Sequence, residues 1–132
     1  MLKVSNPNVV FDPYINYLPQ HGEEDISLNF TENNLCLNIH YEDELDNESK
    51  KLKINFENVI FFKVESVPGV KGMNVIYEEA EMLTNLIEFL DSEFKNDWEK
   101  HFNGYIKLSH YKMFFQNINK SLEIVAESVQ HP

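Results

Sequence analysis

The chain has 132 residues with twenty-two carboxylates, eleven lysines and no arginine, a formal charge of -11. That balance repels nucleic acid and anionic membrane, and it removes the side chain best suited to planar, bidentate grip on phosphate. The length fits one domain, residues 1–132, and 42% hydrophobic residues supply a core, so the chain is not a disordered acidic tail.

The longest apolar run, Val59-Ile60-Phe61-Phe62, is far too short to cross a bilayer, and Met1 to Pro7 holds no apolar leader. A single cysteine, Cys36, makes no internal disulfide and fits a reducing cytoplasm. The asparagine- and lysine-rich, arginine-free composition fits an AT-rich bacterial genome.

Hydrophobic periodicity is mostly two. Residues 1–8 and 129–132 are expected to be poorly ordered. Ile26-Ser27-Leu28-Asn29-Phe30 alternates, Thr31 to Asn34 supplies turn residues, and Leu35, Leu37, Ile39 and Tyr41 alternate again. This predicts a hairpin with one wet face. Residues 42–49 form a polar tip leading to a third strand, in which Leu52, Ile54 and Phe56 alternate with polar residues. Glu57-Asn58 breaks that pattern and predicts a bulge or tight bend, after which Val59 to Glu65 reads as a more deeply buried strand.

Val67 to Gly72 reads as a loop and Met73 to Tyr77 as a short edge strand, with residues 78–90 open between helix and strand. Phe94, Trp98 and Phe102 recur every four residues and predict a short helix near 92–103, with Asp91 or Ser92 as its cap and Gly104 as its stop. Tyr105 to Phe115 reads as a long strand. Residues 116–120 turn, and Leu122, Ile124 and Ala126 open the last strand. The expected class is α+β: a strongly curved, mainly antiparallel sheet of about seven strands built from hairpins, its helix covering one opening.

Among candidate sites, the five histidines (21, 40, 101, 110 and 131) show no metal-ligand spacing, so no metal site or cofactor is predicted. Cys36 and His40 lie about 13 Å apart along one strand and cannot form a nucleophile–base pair; Cys36 reads as a buried thiol. The acidic run 42–48 lacks the glycine of a calcium loop. No nucleotide loop or nucleophile elbow is framed.

The distribution of charge is the stronger signal. Between Lys3 and Lys50 lie ten carboxylates and no lysine. Glu23, Glu24, Asp25, Glu42, Asp43, Glu44, Asp46 and Glu48 are therefore the candidate contacts to a basic protein partner, whose encounter such a field accelerates.

Four segments occur in order: Phe56-x-x-Val59-x-x-Phe62-Lys63, then Ser92-Glu93-Phe94, then His110-Tyr111-Lys112-Met113-Phe114-Phe115, then Leu122-Glu123-Ile124-Val125-Ala126-Glu127. Over residues 50–128 this resembles small bacterial immunity proteins of polymorphic and contact-dependent toxin systems, with Phe94 where that pattern carries tryptophan. The resemblance implies toxin neutralisation by direct binding and transfers no catalytic residue. Two other classes stay open. One is a ligand-binding or enzymatic domain whose cavity is lined by Phe61, Phe62, Trp98, Tyr105, Tyr111, Phe114 and Phe115, with His40, His110 and Tyr111 as polar groups. The other is a subunit of a larger assembly. Oligomeric state is not legible in the chain.

Overall fold

The computed structural model describes residues 3–66 and 84–132. They form one seven-stranded antiparallel sheet and one short helix: β1 (Val4–Phe11), β2 (Asp25–Thr31), β3 (Asn34–Glu42), β4 (Ser49–Ser66), β5 (Leu86–Ser92), α1 (Glu93–His101), β6 (Ser109–Phe115) and β7 (Lys120–Gln130). The order across the sheet is β1-β5-β6-β7-β4-β3-β2. The expected class holds, but the sheet is open and only modestly curved. The edge strand expected at Met73 to Tyr77 lies outside the described residues, as do residues 78–83; of the segment left open between helix and strand, residues 86–90 are strand, part of β5.

Alternation explains the pairing. Leu35, Leu37 and Ile39 stand opposite Phe56, Ile54 and Leu52, and Tyr111 and Met113 opposite Ile124 and Leu122. All are buried in one continuous core on one face of the sheet. A one-residue slip in any of these pairs would turn its apolar set to water, so the register is strongly specified. Glu32 (φ 52°) and Asn33 (φ 67°) form the two-residue left-handed connection between β2 and β3, matching the right-handed twist of the strands.

The third and fourth expected strands are one. β4 runs for eighteen residues, pairing β3 through Ser49–Phe56 and β7 through Asn55–Ser66. The predicted irregularity is present as a register shift between Val59 and Phe61, with Asn58 at φ 50°. Beyond it the strand is not deeply buried: Val59 is, but residues 62–66 are exposed.

Two further expectations are corrected. Residues 4–8 and 129–130 are not loose ends. Val4–Phe11 pairs with β5, and Asn55 and Phe56 pair with Gln130 and Val129. A polar segment such as Val-Ser-Asn-Pro-Asn becomes a strand because a neighbouring edge supplies its hydrogen bonds, which no periodicity reports. The long strand expected from Tyr105 begins only at Ser109, and Tyr105 is 89% exposed.

α1 is capped as predicted: the Ser92 hydroxyl accepts the Lys95 N–H at 3.0 Å, and Gly104, at φ 74°, donates back to the Glu99 carbonyl. The helix does not cover an opening. It lies on the sheet face opposite the main core, where Phe94 meets Phe61 edge-on at 4.9 Å.

Candidate functional site

Ser92 ends β5, His110 lies in β6 and Glu123 in β7, and the sheet brings the three together. The Ser92 Oγ is 2.7 Å from His110 Nδ1, and His110 Nε2 is 2.8 Å from Glu123 Oε1. His110 is 1% exposed and Ser92 2%. The rings of Phe89 and Phe94 stand 5.2 and 5.5 Å from the imidazole. The Ser92 hydroxyl accepts from Lys95 and shares a further hydrogen bond with His110 Nδ1, while His110 Nε2–H donates to the acceptor-only Glu123 carboxylate. The Glu123 carboxyl is held below the usual carboxylate range, first by the His110 hydrogen bond against the opposing effect of burial, and further by the charges of His110, Lys112 and Lys63.

The hydroxyl–imidazole–carboxylate order is that of an activated nucleophile, and Ser92 sits at a strand-to-helix junction. Three features set it apart from one. Ser92 has relaxed extended backbone (φ -141°, ψ 114°) where a nucleophile elbow is strained. Its oxygen is committed to the helix cap, and it is closed off from solvent. The relay therefore reads as a clasp joining the start of α1 to β6 and β7. His110 is opposite Val125 and only diagonal to Glu123, so period-two alternation places both on one face but does not show that they bond.

The eight candidate acids do not form one patch. Glu23 is 4% exposed; its carboxylate accepts the Asn117 backbone N–H at 2.8 Å, while the Asn117 amide donates to the carbonyls of Glu23 and His21. It pins the 12–24 loop to the β6–β7 turn, with its carboxylate turned inward. Asp43 and Asp46 both pair with Lys50, at 2.9 and 3.2 Å, and accept the backbone N–H groups of Leu45 and Glu48. Lys50 holds the Asp43 carboxyl below its ordinary value, chiefly by that hydrogen bond. These two acids build the tip as much as they charge it. Glu44 accepts from the Gln20 backbone, joining the tip to the 12–24 loop. Glu24, Asp25 and Glu48 are exposed and Glu42 half-exposed.

Where tip and loop meet, a shallow cleft of about 320 Å³ is lined by Tyr14, Asn16, Tyr17, Leu18, Pro19, Asp43, Glu44 and Leu45. Leu45 projects from the tip at 96% exposure, and Ile15 and Tyr17 are also exposed. Sequence reasoning marked the acids but passed over these apolar neighbours, although a leucine inside Glu-Asp-Glu-Leu-Asp has no core-facing periodicity and is a visible signal.

The proposed cavity residues are not brought together. Tyr111 faces the main core and His110 the opposite face of the same strand, His40 bonds Ser27 across β2 and β3, and Tyr105 is exposed. Cys36 is half-buried beside Asn38 on the wetter face, contrary to the expected buried thiol. Among the described residues no cluster of three or more His, Cys, Asp or Glu could hold a metal, and no helix is long and apolar enough to cross a membrane. Comparison with protein families, curated proteins and solved structures returns no match.

Proposed function

We propose that this chain is a non-enzymatic acidic binding protein that neutralises a basic toxin domain by direct contact, acting in the bacterial cytoplasm as an immunity protein. The observation that carries the reading is the exposed Leu45, with Tyr17 across the cleft and Ile15 exposed on the same loop, set among Glu42, Asp43, Glu44, Asp46 and Glu48. An apolar anchor ringed by like charge is the anatomy of a protein interface: the anchor holds the complex, and the rim steers its approach.

The test is binding to the product of the neighbouring upstream gene, followed by kinetics. Leu45→Ala is expected to raise the dissociation rate roughly ten-fold or more. Glu42→Gln with Glu48→Gln is expected to slow association several-fold at low salt, with the difference fading as salt rises. A neighbouring product with no toxin character, or association unchanged at low salt, refutes this assignment.

The enzymatic alternative rests on the Ser92–His110–Glu123 order alone. It predicts an activity abolished by Ser92→Ala in protein that remains folded.

A further inference from the structure

The two edges of the sheet are guarded differently. β1 carries Pro7, which has no N–H, and Asn6 at φ 57°, both of which spoil a template for pairing. β2, at the other edge, has neither proline nor lysine. It keeps an unbroken register with β3 from Asp25 to Thr31, and among the described residues it is paired on that side only. Alternate residues of such a strand direct N–H and C=O groups outward. Ile26 and Leu28 are half-buried against the core, while Phe30 is 48% exposed and rests on Phe62 at 5.3 Å between ring centres. Carboxylates mark both ends: Glu24 and Asp25 before the strand centre, Glu32 after it, all exposed.

We infer that the β2 edge accepts an extended segment of a partner protein as an eighth strand, one with apolar residues on the Phe30 side and cationic residues at its ends. This rests on the acidic-binder reading and specifies how the partner is held. Main-chain hydrogen bonds supply the contact and the end charges select for sign. A second copy of the chain is the poorer occupant. Antiparallel pairing of two β2 strands centred on Leu28 brings Glu24 and Asp25 of each copy to the end where the other carries Glu32, and like charges gathered at both ends disfavour that pair. The edge also starts beside the acidic tip, since Glu24 donates to the His40 carbonyl two residues before Glu42, so one partner can reach both.

The probe is a seven-residue peptide, matching β2 in length, that alternates valine and threonine between terminal lysines. It is titrated into the labelled full chain at low salt and followed by amide NMR and hydrogen exchange. The expected result is saturable shifts and slowed exchange confined to β2. Methylating alternate backbone nitrogens of the peptide should weaken binding at least about ten-fold without changing its charge. Glu24→Lys with Glu32→Lys should shift preference to a peptide with terminal glutamates. Equal binding of plain and methylated peptides, or shifts confined to residues 42–48, overturns the edge while leaving an acidic binder intact. No binding by the lysine peptide, or a concentration-dependent dimer through β2, also overturns it. Loss of upstream-product binding on Leu45→Ala tests the parent reading independently of all these.

Discussion

Replacing Ser92 by alanine removes two interactions made by one oxygen. The first is the cap of α1, the 3.0 Å bond from the Lys95 N–H, whose loss from a helix N-terminus costs about 1 kcal/mol. The second is the 2.7 Å bond to His110 Nδ1. With the imidazole 1% exposed, Nδ1 is left without a hydrogen-bond partner and without access to water, which costs about 1–2 kcal/mol more. The sum, about 2–3 kcal/mol, corresponds to a fall in Tm of roughly 10 °C for a domain of this size. Urea unfolding measures it directly, and Ser92→Thr, which keeps the hydroxyl, should recover most of the loss. A double-mutant cycle with His110→Phe isolates the pair and should return a coupling of about 1 kcal/mol or more. A loss under about 0.5 kcal/mol, or strict additivity in the cycle, would refute the clasp.

Other outcomes follow from neighbouring contacts. Because the folded Glu123 carboxyl sits below its ordinary value, its stabilisation is present above the unfolded-state pKa, about 4.3, and is lost as pH falls through the folded value. Glu123→Gln should therefore be less stable than the parent near neutrality, with the gap closing below about pH 4; a gap constant with pH contradicts the pairing with His110. Gly22→Ala is expected to cost about 2–4 kcal/mol in denaturant unfolding, since φ is +83° and the new methyl would stand 2.7 Å from the Asn117 amide, which is itself tied to two carbonyls. Glu23→Ala should lower stability by about 1–3 kcal/mol by stranding the Asn117 N–H, yet leave the rate of association with a basic partner nearly unchanged. A large kinetic effect in folded Glu23→Ala would return that residue to the interface.

Local chemistry was legible where one segment contains its own reason. Alternation located β2, β3 and β7 because side chains of a strand point to opposite faces whatever the partner. The turn within Thr31 to Asn34, the irregularity at Asn58, a cap at Asp91 or Ser92 and the Gly104 stop were visible because each answers a backbone need within a few residues. Charge was legible too, as a count and as a Lys-free stretch.

What the chain did not disclose depended on distant neighbours. Val4 to Phe11 is a strand because β5 presents an edge to it, and β4 is one strand because β3 and β7 each hold half of it. Ser92, His110 and Glu123 belong to three segments, and their bonds exist only once β5, β6 and β7 lie side by side. The same assembly divided acids that look alike in sequence: Glu23 went inside against Asn117, Asp43 and Asp46 closed on Lys50, and Glu24, Asp25 and Glu48 stayed in water. Sequence alone determined that this protein is acidic and where along the chain its charge gathers. Only tertiary structure decided which carboxylates face outward, because burial and ion pairing are set by what the fold places beside each side chain.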